Sequence, residues 1–253
     1  MNVVLGGFLA VFGTAAVAVV LSQVARRFSL DGHALAIAVP VGALFAFVTG
    51  LAVVTGWAEL DQATQNVHKE AGALVDLYWY ASTLPDPAKT QAQSQLRVYV
   101  SDVQHQEWEQ MAHRRVMSVP ASTLLARLRK QFQAIEPAAG GATVRYAEAL
   151  NRLSDLTGAR RAREGALTEA VPAALWPALF VTGLLLLAAV ILLGGPNPIS
   201  RAILAGLAGG GIAFVIFLVQ QIDHPFQGGI RVSDAPFTSA YQGFDEIDAI
   251  YKS

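Results

Sequence analysis

Three side chains that could bind a metal ion follow one another in the polar middle of the chain. His105, Glu109 and His113 are four residues apart, so on an α-helix they roughly share one face and offer two imidazoles and a carboxylate. Zinc uses these ligand types, but a complete site needs a further ligand from another element. We find no such partner in the sequence and therefore expect a solvated helix face, without a metal.

The motifs of the common enzyme classes are missing from the chain. It has no glycine-rich phosphate loop, no nucleophile elbow and no His-Glu-x-x-His motif. It has no cysteine, which excludes disulfides and thiolate chemistry. A net charge of −1 and a pI near 6.5 give no general attraction to nucleic acid. We expect neither catalysis nor a cofactor.

Four apolar segments dominate the sequence, and each is long enough to cross a bilayer. They occupy residues 3–24, 34–57, 172–193 and 199–222, and about 20 apolar residues of helix span the hydrocarbon core. A mean hydropathy of +0.42 is also too high for an ordinary soluble chain. The sequence therefore predicts an all-α, polytopic membrane protein with four transmembrane helices.

These segments form two pairs and divide the chain into four parts. The expected parts are transmembrane helices 1 and 2 (residues 1–57), an extramembrane helical bundle (58–171), transmembrane helices 3 and 4 (172–222) and a tail with an amphipathic helix (223–253). The bundle should contain helices from Asp86 to about Val116, from Pro120, and from about Thr143, because Pro and Gly separate these apolar periodicities.

An even number of crossings places both termini and the bundle on one side of the bilayer. Lys and Arg near the membrane ends are more frequent on that side, which favours the cytoplasm. Arg26 and Arg27, directly after the first segment, favour the opposite orientation. No segment carries an acidic or basic side chain in its central portion, which argues against an ion-coupled transporter.

Small residues recur at helical spacing in the second and fourth segments. Such residues let membrane helices approach closely, and we expect them to be packing positions. They are Gly42, Ala46, Gly50, Gly206 and Gly210.

A functional interpretation of the second segment concerns the stripe beside these small residues. Val41, Phe45 and Thr49 are four residues apart. In an oligomer they would face a central axis and form an apolar constriction that gates by dewetting.

Asp223 ends the fourth segment, where the helix dipole disfavours an anion. An unpaired carboxylate at the membrane surface is costly. Arg160, Arg161 and Arg163 approach the same surface along the chain entering the third segment. We therefore expect an ion pair with these arginines, the alternative being a carboxylate that reaches water.

The spacing of apolar residues in the tail predicts a helix that begins near Pro236, with one apolar face and one acidic polar face. An interfacial helix that binds anionic lipid is normally basic. We therefore expect this helix to dock on protein, either its own bundle or a neighbouring subunit.

Several ordered motifs resemble one known family. They are Glu70-Ala71-Gly72-Ala73-Leu74-Val75-Asp76-Leu77-Tyr78, Tyr99-Val100 with Glu107-Trp108 and Met111-Ala112, Leu153-Ser154-Asp155 before Arg160-Arg161, Pro172 with Leu175-Trp176, and Asp223-His224-Pro225-Phe226-Gln227-Gly228 before Arg231-Val232-Ser233. In that order they look like the bacterial bestrophin-like membrane proteins. The resemblance runs from the second apolar segment onward.

Similarity to bestrophins implies an oligomeric anion channel, a pentamer with four membrane helices per chain and a helical cytosolic region. It also implies the bacterial inner membrane as the location. The Asn-Asn-Pro run of the bestrophin pore neck does not occur in this chain. The sequence therefore leaves two expectations open, an ion channel formed by a homo-oligomer, and a non-conducting scaffold or accessory subunit of a larger membrane complex.

Overall fold

The computed structural model describes residues 12–20, 33–136, 140–167, 170–193, 197–227 and 229–252. No strand occurs among these residues, and the prediction of an all-α fold is confirmed. The helices are α1 (residues 12–20), α2 (His33–Ser82), α3 (Ala88–Asp102), a π-helical turn (Val103–Glu107), α4 (Trp108–Arg114), α5 (Val119–Gln133), α6 (Gly141–Gly165), α7 (Leu175–Leu193), α8 (Pro198–Ile222) and α9 (Ala235–Lys252).

The chain forms two compact units, and α2 contributes to both. One unit, called the membrane unit below, comprises residues 1–58, 169–224 and 228–230. The other, called the extramembrane unit, comprises residues 59–168, 225–227 and 231–253. α2 runs for 50 residues, which corresponds to a length of about 75 Å. This helix continues without a break from the apolar second segment into the extramembrane unit.

In the membrane unit, three helices of the described chain are long and apolar enough to cross a bilayer. They are α2, within Ala38–Ser82, α7 and α8. Of the first apolar segment, residues 12–20 are described, and they are helical. The fourth crossing thus stays a prediction. The buried core of this unit includes Ala18, Phe45, Ala52, Leu179 and Ile212.

The extramembrane unit is a helical bundle built on the second half of α2. α3 runs antiparallel to α2, because Gln93 near its start donates to Ser82 at 3.0 Å, whereas Tyr99, further along α3, donates to Glu70 at 2.6 Å. The predicted helix from Asp86 to Val116 is interrupted by the π-helical turn and ends at Arg114. The core includes Leu74, Leu77, Leu96, Val100, Phe132, Leu153, Leu156, Phe237 and Phe244.

α5 begins at Val119, where Ser118 caps the helix. The Ser118 hydroxyl accepts a hydrogen bond from the Ala121 N–H at 3.3 Å and donates one to the buried Asp102 carboxylate at 2.6 Å. Sequence analysis placed this start at Pro120, although a serine before a proline is a typical helix start. The cap ties the beginning of α5 to the end of α3.

α9 docks on its own bundle, which settles one of the two alternatives for the tail. Phe244 stacks on Tyr78 with ring centroids 4.2 Å apart. Arg97 of α3 pairs with Asp245 at 2.8 Å and with Asp248 at 3.0 Å. The acidic face of α9 thus meets an arginine, while its apolar face enters the core.

Candidate functional site

The predicted constriction stripe of α2 does not face outward as a whole. Phe45 is 8% exposed and its ring fills the space beside Gly183 of α7, where an added Cβ would lie 3.4 Å from the Phe45 Cε2. Val41 and Thr49 are half-buried. Phe45 therefore packs among the protein's own membrane helices, where Gly183 leaves room for its ring, and its assignment to a pore wall stays a prediction that this burial argues against.

A different face of α2 is open. Leu44, Phe47, Leu51 and Val54 are spaced three or four residues apart, and all are exposed, with Phe47 at 69% and Val54 at 66%. In a bilayer this face must meet lipid, a neighbouring chain or a pore, since large apolar side chains are unfavourable in bulk water. It is the surface of α2 that an oligomer can use.

The small residues of α2 divide between inner and outer positions. An added Cβ on Gly42 would lie 3.6 Å from the Leu186 Cδ1 of α7, whereas Gly50 has no such neighbour within 4 Å. Ala46 and Gly50 are exposed. Gly42 therefore serves packing within the chain, while Ala46 and Gly50 belong to the open face.

On α8, a close helix approach falls at Gly209, a glycine outside the predicted set. A Cβ on Gly209 would lie 2.9 Å from the Ala18 Cβ of α1, and one on Gly206 would lie 3.4 Å from Val19. Gly210, which was predicted instead, is half-buried. The run Gly209-Gly210-Gly211 marked the region, but only the helix rotation shows which glycine faces α1.

A network of buried charges occupies the core of the extramembrane unit. Arg163 is fully buried and donates to Glu70 at 2.8 and 2.9 Å and to Glu107 at 2.6 Å. Arg160 forms a two-point pair with the same Glu107 at 2.8 and 2.6 Å. Two arginines and two glutamates thus neutralise one another, and they join α2, α6 and the π-helical turn.

Neutral groups complete this network. The Tyr99 hydroxyl donates to Glu70 at 2.6 Å and accepts from Arg160 at 3.1 Å. The Ser118 N–H donates to Glu107 at 2.8 Å. Each carboxylate therefore has several donors, as a buried charge requires.

Burial and the neighbouring charges shift the pKa values of the network in opposite directions. Burial by itself raises the pKa of the Glu107 carboxyl, but the charges and hydrogen bonds of Arg163 and Arg160 outweigh it, and this pKa is lowered. Burial, reinforced by the charge of Glu70, raises the pKa of Tyr99 well above its ordinary value. Both shifts favour the forms that these hydrogen bonds need, a neutral Tyr99 hydroxyl that donates and an ionised Glu107 carboxylate that accepts, so the arrangement is a structural brace.

The predicted ion pair between Asp223 and the arginines is wrong. The Asp223 carboxylate accepts from the Val171 N–H at 2.8 Å, and its backbone carbonyl accepts from the Ala170 N–H at 2.9 Å. Its second oxygen lies 3.6 Å from the His224 Nδ1. Arg160 instead forms an ion pair with Glu107, and Arg163 forms one with Glu70. Arg161 is exposed. Asp223 satisfies backbone donors on the chain entering α7, which makes a charged partner unnecessary.

The possible metal ligands do not converge. His105, Glu109 and His113 are all exposed, and the His105 Nδ1 lies 2.9 Å from the Ser101 carbonyl oxygen of its own helix. His105 lies in the π-helical turn, whereas Glu109 and His113 lie in α4. In the part of the chain that the structure describes, no three His, Asp or Glu side chains are placed to hold a metal ion.

Comparison with protein families matches residues 2–237 to a bestrophin-like domain. No curated protein matches the chain. Among solved structures, two mutant forms of a bacterial bestrophin homologue from Klebsiella pneumoniae have a TM-score of 0.70 and 14% sequence identity, and cover 98% of this chain and 99% and 100% of their own. A third mutant form of that homologue, also at 14% identity, has a TM-score of 0.68. At this identity the likeness shows the fold alone.

Proposed function

Since this chain belongs to the bestrophin-like family, we propose that it forms an oligomeric ion channel in the bacterial cytoplasmic membrane. The observation that carries the proposal is the family match over residues 2–237, together with a fold shared over nearly the full length of both chains with a bacterial bestrophin homologue. The shared fold covers 98% of this chain and 99% of that homologue.

The proposed protomer has four crossings. α1 packs on α8 at Gly209 and Gly206, which supports the reading that residues 3–24 form a membrane helix beside α8. Four crossings return the C-terminus to the side of the N-terminus, and we assign that side and residues 58–171 to the cytoplasm, as the excess of Lys and Arg favours.

The proposed conduction path follows the open face of α2. In a closed ring of identical chains, with a pentamer as the number that the family resemblance suggests, Phe47 and Leu51 would narrow the axis and Ala46 and Gly50 would allow neighbouring helices to approach. An apolar ring of this kind passes ions only when it is wet, so the size of its side chains sets the conductance. This stripe takes the place of Val41, Phe45 and Thr49 in the proposal.

Planar-bilayer recording of the purified protein, together with its oligomer mass, tests the proposal. Phe47→Ala should raise basal conductance, because it widens the constriction. Phe214→Ala is the matched control, since Phe214 is an exposed phenylalanine on α8 at 51%, and it should leave conductance unchanged. Phe45→Ala should destabilise the protomer without opening the path.

Stoichiometry distinguishes the channel from the alternative of a non-conducting scaffold or accessory subunit. A closed ring of identical chains supports the channel. A single copy bound to other membrane proteins, or a correctly assembled ring with no current from wild type and from Phe47→Ala, contradicts it and favours the scaffold. A salt gradient across the bilayer then identifies the conducted ion by its reversal potential, with an anion as the expectation from the family resemblance.

A further inference from the structure

A cleft runs between α2 and α6 on the extramembrane unit, and all the residues that line it belong to that unit. Asp76 of α2 pairs with Arg152 of α6 at 3.2 Å. Glu70, earlier on α2, pairs with Arg163, later on α6, so the two helices run antiparallel. The volume of the cleft is about 590 Å³, a size typical of pockets for small ligands.

The middle of the cleft is open because its residues are small. It is lined there by Gly72 and Ala73 of α2 and by Gly158, Ala159 and Ala162 of α6. A Cβ on Gly72 or on Gly158 would meet no side chain and no neighbouring element within 4 Å. Both glycines are also exposed. The cleft thus offers space that a ligand can enter from solvent.

One end of the cleft holds a buried amide without a partner. Asn66 is 6% exposed and lines the cleft. Its carboxamide forms no hydrogen bond with any other residue that the structure describes. Buried amides are normally hydrogen-bonded, since an unpaired one is costly. This side chain therefore indicates that a polar group enters the cleft.

The same end carries an unpaired positive charge. Lys69, one turn after the amide, is exposed, lines the cleft and forms no ion pair with the residues that are described. The exposed carboxylates of Glu59 and Asp61 lie two or more turns earlier on α2 and do not line the cleft. Arg161 and Glu164 of α6 are exposed with opposite charges, and neither lines it. This end therefore suits a carboxylate.

The opposite end of the cleft is negative. Asp76 and Asp155 line it together with Arg152, and this arginine also pairs with Glu148, so three carboxylates share one guanidinium. Arg145, the next basic residue toward the start of α6, is exposed and does not line the cleft. Even when its charge is counted, carboxylates remain in excess. This end therefore suits an ammonium group.

We propose that the cleft binds a zwitterion of dipeptide size. The ligand carboxylate accepts from Lys69 and Asn66, and the ligand ammonium donates to the two aspartates. Lys69 and Asp76 are seven residues apart, which is about 10 Å along α2. Two charge-assisted hydrogen bonds of about 2.8 Å leave about 5 Å between the charges of the ligand. An extended dipeptide fits this separation, whereas the charges of a free α-amino acid are too close together.

Isothermal titration calorimetry of the full chain in detergent, with alanyl-alanine as the probe, tests the proposal. Alanyl-alanine should bind saturably to the wild type. Free alanine should bind about tenfold more weakly, because it cannot reach both ends of the cleft and loses a hydrogen bond to a charged group. The capped dipeptide N-acetyl-alanyl-alanine amide should not bind, because both of its charges are removed.

Matched variants separate ligand contact from loss of the fold. Lys69→Met should weaken binding about tenfold, whereas Lys130→Met, at an exposed lysine of α5, should leave it unchanged. Gly158→Leu should abolish binding because it fills the cleft. It should keep the melting temperature, since a Cβ there has no neighbour within 4 Å and leucine favours a helix.

Three outcomes overturn the proposal. The first is that alanyl-alanine shows no saturable binding to the wild type. The second is binding that survives Gly158→Leu, or that Lys69→Met and Lys130→Met weaken equally. The third concerns Gly158→Cys, which introduces the only cysteine of the chain and should react with maleimide in the assembled protein. Resistance to maleimide would assign the cleft to a neighbouring chain. The inference concerns the extramembrane unit alone, so it stands whether or not the protein conducts ions.

Discussion

Arg163 and Glu70 face each other as a two-point pair, with Nε to Oε2 at 2.8 Å and Nη2 to Oε1 at 2.9 Å, and neither side chain is exposed. The pair joins α6 to α2 across 93 residues of sequence. Arg163 also lies over the rings of Trp108 and Phe237, at 5.7 and 5.6 Å from their centroids. One guanidinium therefore connects α2, α4, α6 and α9.

Glu70→Gln should destabilise the extramembrane unit strongly. The substitution keeps the shape of the side chain but leaves Arg163 with an uncompensated share of its charge, and breaking a buried pair from one side costs about 3 to 5 kcal/mol. Detergent melting curves measure the effect. Asp155→Asn is the matched control, because Asp155 meets Arg152 at 3.5 Å on an exposed surface, where a pair is worth about 0 to 1 kcal/mol. Equal melting temperatures for the two variants would contradict a bracing role of the network.

Gly209→Ala should destabilise the membrane unit, whereas Gly211→Ala should not. A Cβ on Gly209 would lie 2.9 Å from the Ala18 Cβ, but one on Gly211 has no neighbour within 4 Å. Overpacking of a close contact costs about 1 to 3 kcal/mol, while alanine in an unhindered helix is favourable. The same melting assay compares the two variants. If Gly211→Ala proves the more harmful, the helix rotation that brings Gly209 against α1 is incorrect.

Sequence periodicity and punctuation predicted most helices of this chain. The apolar lengths identified α7 and α8, Asp86 and Pro87 marked the approach to α3, and the acidic face of α9 indicated docking on protein. These are local features, since spacing and caps act within a few residues. The π-helical turn at Val103–Glu107 left no comparable mark in the sequence, and its Glu107 pairs with arginines more than 50 residues away.

The partners of charged side chains were the part that sequence could not supply. Arg160 and Arg163 were expected at the membrane surface with Asp223. Their spacing of three places both on the inner face of α6, where they pair with Glu107 and Glu70. The burial of Phe45 depends in the same way on Gly183, far along the chain. The partner of a side chain depends on which two helices pack against each other. A periodic sequence pattern shows which face of a helix is buried, but it does not show which other helix covers that face.

Alkaline pH should loosen the docking of α9 through Tyr78. Burial raises the pKa of Tyr78 to about 12, whereas an unfolded tyrosine ionises near pH 10. Because the folded pKa is the higher one, its contribution to stability is complete below about pH 10 and is lost as pH rises toward 12. Melting temperature should therefore fall across this window, and Tyr78→Phe should make the fall less steep. An identical slope in the variant would show that this hydroxyl does not contribute.

Single cysteines should reveal which side of the membrane holds the bundle. Ser94 on α3 and Ser200 at the start of α8 are both exposed, and the proposed topology places them on opposite sides, with Ser94 in the cytoplasm. In intact cells an impermeant thiol reagent should therefore label Ser200→Cys rapidly and Ser94→Cys only after the membrane is permeabilised. The cysteine-free wild type is the background control. The reverse pattern would invert the orientation, as Arg26 and Arg27 after the first segment favour, and labelling of both positions in intact cells would contradict the assignment of α7 as a crossing between them.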